Sequence, residues 1–495
     1  VESLLLSGIG ALAGLLLGQS AIKILWRQLD RHLPLTSTIH LDWRVLAWLA
    51  VLTLITAAVV GIIPALRAAA RNVQANLHGT TSTASASQNR TREALVVAQL
   101  ALTLVFLVGA GLFLRTINAL RQVPLGFSQQ NVLTGGVILN ARGDLSNGDK
   151  GQQANIVRDS YLPLLERLRA IPGVQVAALS SVLPLRNEFA VSIGGRLDGK
   201  KVPSEQAPLA DGRLASDGLV DALGIPIVRG RFFTEDDTAS SPVVVVINQA
   251  FAKKYLPGAD PIGHTYGLGE GRFAAGRIVG VIGDMKQTDV TKATKPEVYF
   301  CMAQMEPGSP LYGIATAFVE VAIRGRIPAG ALRVQFDKAL HEVAPDATTT
   351  DVKTIHEAVE DSFGSQTLTA HLLETFAGLA LMIAAVGLYG LLSFAVAQRT
   401  REIGLRIALG APQANILTMV LRRALLLVSI GLAAGVTLAW FAVSLARSYI
   451  FGVQPHDALT FIAVLLVLAA ASFVAAWLPA RRAASVDPIL ALRSE

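Results

Sequence analysis

"LLLSGIGALAGLLL" at residues 4–17 returns, with changes, as "LLLVSIGLAAGVTL" at residues 425–438. Each copy is followed by a polar connector and a second apolar run that ends on Pro and a basic cluster, "IPALRAAAR" at 63–71 and "LPARRAASV" at 478–486. Asp42 and Asp457 stand at the same place, just ahead of the second run. Two spans, a Pro stop and an Arg cluster in fixed order make one structural unit used twice. A long soluble insert and another apolar span precede the C-terminal copy, whereas the N-terminal copy starts at Val1. A first residue other than Met, inside an apolar helix, reads as a fragment or processed piece of a longer protein.

The rest of the chain fits a membrane protein. Of its 495 residues 52% are hydrophobic and 16% charged, too apolar for an ordinary soluble domain. Six stretches reach the roughly 20 residues that cross a bilayer as a helix. They are 3–25, 44–66, 94–114, 374–397, 424–446 and 458–478, with charges only at their ends. Ion-coupled carriers keep an ionisable group at membrane depth, so these charge-free interiors argue against a secondary transporter. Gly10, Gly14 and Gly18 in one span, and Gly431 and Gly435 in its counterpart, recur every four residues. Such spacing lets helices approach closely, although Gly is also common in membrane helices generally.

The net charge of +7 comes from basic residues clustered where spans end. That is a topology signal, and no basic tract interleaved with aromatics suggests nucleic acid. Arg67, Arg71, Arg90 and Arg92, then Arg399, Arg401, Arg406, Arg422 and Arg423, then Arg481, Arg482 and Arg493 fall on one side if six spans alternate. That side is assigned to the cytoplasm, against the weaker vote of Arg27 and Arg31. Residues 115–373 are then extracytoplasmic. The Ser/Thr-rich stretch 72–92 reads as a flexible cytoplasmic linker. The fold class is a six-span α-helical membrane protein with an α+β extracytoplasmic domain between spans three and four.

Within the insert, 131–139, 174–182, 318–323 and 348–352 read as strands. Helices are expected over 153–170, near 329–343 and from Thr354. The two ends should pack together, with 186–310 as an inserted lobe. Cys301 stands alone, so no internal disulfide is expected, and its strand-like setting suits a small buried residue. The scattered His residues, and the acids of "FTEDD" at 233–237, lack ligand spacing for a metal. No G-x-x-x-x-G-K-[ST] occurs, so no cofactor site and no enzyme chemistry is expected in this chain.

"QRTREIGLRIALGAP" at 398–412 is the strongest local signal. Ile403 with Ile407, and Leu405 with Leu409, are each four apart and suggest an apolar side; Arg399, Glu402 and Arg406 suggest a polar one. Such a helix is either an interfacial anchor or an element that a cytoplasmic partner pushes.

The longer run "FAGLALMIAAVGLYGLLSFAVAQRTREIGLRIALGAP" (376–412) resembles the membrane–cytoplasm junction of MacB/FtsX-type ABC transporter permeases, and "PARRAASVDPILALRSE" (479–495) is similar to their C-terminus. "LGIPIVRGRFFTEDD" (223–237), "VVVVINQAFAKKYLPGADPIG" (243–263), "RIVGVIGDMK" (277–286) and "PEVYF" (296–300) resemble the MacB-like periplasmic core domain. The duplication is similar to that of the acidobacterial duplicated orphan permeases. The resemblance implies residues 1–78 as the last two spans of a first, N-terminally truncated repeat and 79–92 as a linker. It implies 93–123 as the first span of a second repeat, 124–366 as the periplasmic core domain, and 367–495 as a three-span permease domain with a coupling helix at 398–411. It favours the coupling role, with Arg399, Arg401, Glu402 and Arg406 meeting a cytoplasmic ABC ATPase that holds ATP and Mg. It further implies pairing of two permease repeats, a periplasmic adaptor, a bacterial inner-membrane location, and efflux or extraction of a substrate. A signalling or hydrolase-regulating permease is the alternative it leaves.

Overall fold

The computed structural model describes residues 2–29, 42–69, 82–139, 155–186, 191–200, 207–317, 319–409, 412–447, 450–454 and 456–485. Val1–Arg121 with Gly364–Glu495 make one compact unit, and Gln122–Phe363 make another.

The chain opens with α1 (Glu2–Leu29) and α2 (Trp43–Ala69), which pack against each other. The Asp42 carbonyl accepts from the Val45 and Leu46 amides at 3.0 and 3.3 Å and so starts α2. Next comes α3 (Ser82–Arg121). Residues 82–92, expected in a flexible linker, are instead the first turns of this helix, and 72–81 lie outside the described residues. No Pro or Gly interrupts 80–108, and extending a helix already nucleated by its apolar stretch costs little per residue.

The second unit runs β1 (Val132–Ile138), α4 (Leu162–Arg169), β2 (Val174–Ser180), β3 (Val191–Gly194), β4 (Arg196–Leu197), β5 (Leu209–Ala215), α5 (Leu219–Leu223), β6 (Ile227–Gly230), β7 (Val244–Asn248), α6 (Gln249–Tyr255), β8 (Thr265–Gly267), β9 (Gly276–Ile282), β10 (Glu297–Cys301), α7 (Tyr312–Ala317), β11 (Val319–Gly325), α8 (Ala329–Val343), β12 (Thr348–Thr354) and α9 (Ile355–Ser362). The strands form a single sheet ordered β12-β1-β11-β2-β5-β10-β7-β9-β8-β4, with β3 on β5 and β6 on β9. The inserted lobe expected over 186–310 is therefore a continuation of the same sheet. β2 and β5 share the one strand pair Ser180–Ala215. Hydroxyls complete that join: Ser216 Oγ accepts from the Leu179 amide at 2.9 Å, and Ser181 Oγ accepts from the Leu214 amide at 3.0 Å. They satisfy main-chain groups that a longer ladder would have paired.

Alternate side chains explain the continuous apolar run of β7. Val245 and Ile247 enter one buried cluster with Phe336 and Leu168, while Val244 and Val246 enter another with Phe232 and Leu223. Both faces of the strand are covered, so no polar alternation appears. The helix expected over 153–170 is split, with a π turn at Val157–Tyr161 before α4. Pro163 has no amide for the Asp159 carbonyl, which frees the wider winding. α9 opens on a capping box, in which Thr354 Oγ1 accepts from the Glu357 amide at 3.1 Å and Glu357 accepts from the Thr354 amide at 2.9 Å.

The chain returns to the helical unit with α10 (Gly364–Gln398), α11 (Thr400–Ala408), α12 (Gln413–Leu445) and α13 (Ala458–Ala484). Arg90–Arg121, Gln366–Gln398, Gln413–Leu445 and Ala458–Ala484 are four helices long and apolar enough to cross a membrane, and Trp43–Ala58 is a shorter apolar stretch. α3 packs against α10, α12 and α13. Leu100, Leu104 and Leu112 of α3 are buried in that bundle. Ion pairs tie both ends of α3: Glu93 accepts from Arg423 Nε of α12 at 3.1 Å, and Arg115 pairs with Asp457, which also caps α13 through the Thr460 amide.

Candidate functional site

The segment 398–412 turns out of α10 before it forms a helix. Arg399 leaves the helical region at φ −110° and ψ 12°. The Thr400 hydroxyl bonds back to the Val396 and Ala397 carbonyls at 3.2 and 3.0 Å, which closes α10 and frees α11 to take a new direction.

Ile403 is 1% exposed and belongs to the helical core, and Ile407 packs partly against it. Leu405 and Leu409, expected on that same apolar side, are 50% and 80% exposed. The reason is angular: residues two apart on an α-helix are separated by about 200°. Glu402 shares the outer side with them and accepts from Arg406 Nη2 at 2.6 Å. Arg406 also reaches Met419 Sδ of α12 at 3.2 Å. The outward face is thus an ion pair flanked by two leucines, not a purely polar stripe. Arg399 is exposed at the helix start, and the Arg401 side chain lies outside what is described. The Glu402–Arg406 pair is half-exposed on both sides and worth only a few tenths of a kcal/mol, ~0.3–0.5, to the helix itself.

The same end of the bundle holds further arginines against partners. The Arg92 guanidinium lies over the Phe394 ring at 4.1 Å, and Arg482 Nη1 donates to Tyr389 Oη at 2.8 Å. These contacts link α3, α10 and α13 at the level of α11.

The five expected packing glycines separate into two groups. A Cβ at Gly431 would lie 2.8 Å from Leu100 Cβ, and one at Gly435 would lie 2.9 Å from Leu104 Cβ and 3.0 Å from Ala101 Cα. At Gly10, Gly14 and Gly18 no described atom comes within 4 Å of that position.

Among the described residues no group of three or more His, Cys, Asp or Glu side chains could hold a metal ion. Burial pushes the Cys301 thiol up to about 12, so it is no thiolate nucleophile at neutral pH. In "FTEDD", burial raises the Asp237 carboxyl, but Arg231 and the Thr234 amide outweigh it and hold the group below the ordinary carboxylate value. Arg231 meets Asp237 through two bonds of 2.6 and 2.9 Å, a bidentate structural clamp. Arg213 and Glu297, 3.0 Å apart and buried, form with Tyr299 and Gln287 another internal polar network. Sequence reading missed that network because each member sits alone in a strand pattern; only the β5–β10 pairing joins Arg213 to Glu297.

Comparison with known proteins agrees with this architecture. Residues 91–324 match the MacB-like periplasmic core domain, and residues 374–488 match the FtsX-like permease C-terminal domain. A pyoverdine export ATP-binding/permease protein, PvdT, of Pseudomonas putida is 30% identical over 54% of this chain and 41% of its own length. A macrolide export ATP-binding/permease protein, MacB, of Azoarcus sp. is 27% identical over 67% of this chain and 48% of its own. The chain spans about half the length of the curated relatives it matches. The crystal structure of the periplasmic region of MacB from Actinobacillus actinomycetemcomitans is 18% identical, covering 48% of this chain and 94% of that one at a TM-score of 0.32, too low to bear on the fold. With the periplasmic core domain followed in the chain by the permease domain that contains α11, this multi-pass inner-membrane protein belongs to the MacB/FtsX family of permeases, its α+β domain being of the MacB-like periplasmic type.

Proposed function

We propose that the chain is the permease part of an ABC-type exporter whose cytoplasmic ATPase drives movement through α11. One observation carries this reading: α11 is rooted in the helical core by Ile403, while Glu402, Arg406, Leu405 and Leu409 stand on the outward side. An apolar pair beside a charge pair is the mixture of an interface core and its polar rim. A push on that face reaches the bundle through Ile403 and the Arg406–Met419 contact.

In this proposal ATP and Mg belong to the ATPase, and α1 and α2 add two spans to the four already named, making six. Residues 1–78 then act as the end of a first repeat and 93–495 as a complete second one, with the periplasmic core at 124–366. The two repeats pair, and a periplasmic adaptor receives the movement of the core domain. The relatives' names, which join ATP-binding and permease parts for pyoverdine and macrolide export, support the exporter reading.

The test pairs Glu402→Lys with Leu405→Asp in the parent protein with its ATPase. Both should insert normally, because Ile403 is untouched, and both should lose ATPase association and stimulated turnover. Removing one partner of a charge pair buried at an interface costs about 2–5 kcal/mol, or at least tenfold in affinity. Full association of both variants would reduce α11 to a surface anchor.

A further inference from the structure

α10 and α13 leave a shallow apolar groove between them, with a volume of about 520 Å³. Gly378, Met382 and Ala385 on one side and Ala470, Ala471 and Ala475 on the other line it. Small residues keep its floor open, and a volume between ~300 and ~1,000 Å³ is the range of small-ligand sites. The groove is not blind in chemical character. Four residues beyond Ala385 stands Tyr389, and seven beyond Ala475 stands Arg482; their 2.8 Å hydrogen bond bridges α10 and α13 there. Those offsets are about 6 and 10 Å along a helix.

Arg481 and Arg482 are both exposed and have no ion-pair partner among the described residues. Among the described residues, Glu93 and Glu402 are paired with Arg423 and Arg406. One Arg482 nitrogen serves Tyr389, which leaves other N–H groups of the guanidinium to donate. Trp477, 41% exposed and 5.8 Å from the Phe473 ring, lies between Ala475 and Arg481, where an amphipathic ring marks the membrane–water interface.

We infer that the α10–α13 groove binds an anionic glycerophospholipid, one acyl chain lying along the alanine-lined floor and the phosphate resting on Arg481 and Arg482 beside Tyr389. A zwitterionic lipid fills the groove equally well but carries a choline that the two guanidiniums repel. A packed helix from another copy would cover the same floor, yet it would offer nothing to the paired arginines.

The experiment uses the full chain in nanodiscs of equal parts phosphatidylcholine and phosphatidylglycerol, with native mass spectrometry of the lipids retained on release. Phosphatidylglycerol should be retained in preference. Arg481→Ala and Arg482→Ala should each lower that preference about fivefold, the worth of one basic residue at the lipid surface. Ala471→Phe and, from the opposite wall, Gly378→Leu should displace both lipids; a melt close to the parent's certifies folding of at least one. Arg422→Ala, on α12, should change nothing. Equal retention of the two lipids, an equal loss from Arg422→Ala, or a dimer abolished by the groove-filling variants would each overturn the assignment.

Discussion

Gly435 and Gly14 occupy the same place in the two copies of the repeat, yet their surroundings differ. The first lets Ala101 and Leu104 of α3 press against α12; the second has no described neighbour within 4 Å of a Cβ. Gly435→Leu should therefore drive α12 from α3 and cost about 1–3 kcal/mol or more, as overpacking does. Gly14→Leu should leave the melt of the detergent-purified chain unchanged. Equal damage from both would mean that α1 is held as tightly as α12. Sequence spacing gave these glycines one reading, because spacing shows which residues share a face and not what covers it. At Asp237 the prediction concerns pH. Its carboxyl lies below the ordinary value in the folded state, so it contributes stability that is present above pH ~4 and lost as pH falls through the lower folded value. Asp237→Asn should lower stability near neutrality and flatten the acid side of the stability curve. A variant whose acid limb overlays the parent's would show that Asp237 does not carry this dependence.

At the scale of elements, the strands expected at 131–139, 174–182, 318–323 and 348–352 were legible and are β1, β2, β11 and β12. The join between β2 and β5 was not. Ser180, Ser181 and Ser216 look like ordinary strand residues until the two strands diverge and their hydroxyls take over main-chain pairing. Ser181→Ala leaves the Leu214 amide without its side-chain acceptor, which should cost about 1–3 kcal/mol. Thermal melts of the chain read that loss directly, and a change within error would show that the splice holds without Ser181. α11 divides in the same way. Its existence and the shared side of Glu402 and Arg406 were legible from four-residue spacing, but two apolar pairs offset by two cannot share a face. The exposure of Leu405 and Leu409 follows from helical geometry once Ile403 is fixed in the core.

For the whole molecule, four of the six expected spans, 94–114, 374–397, 424–446 and 458–478, fall in helices long and apolar enough to cross a membrane, since apolar length is written directly in the sequence. Which side each end faces comes from charge alone. The proposed topology places Ser85 inside and the loop around Ala259 outside. Ala259 is exposed beyond α6, and the natural Cys301 is buried in β10 with its thiol pushed up to about 12. A single cysteine at either position can therefore be read against a silent Cys301→Ala background. In intact spheroplasts Ala259→Cys should react with an impermeant maleimide, while Ser85→Cys should react only after permeabilisation. The number of spans between the two positions decides the outcome: Arg90–Arg121 is one crossing, so opposite sides are required if that helix spans. Adding α1 and α2 as a hairpin leaves this parity unchanged, so a third position is needed to reach six. A cysteine at Thr36, between α1 and α2, should label from outside if both cross and from inside if both stay at the cytoplasmic surface. Inside-only labelling at Thr36 would remove two spans from the proposal while leaving the four-helix permease unit intact.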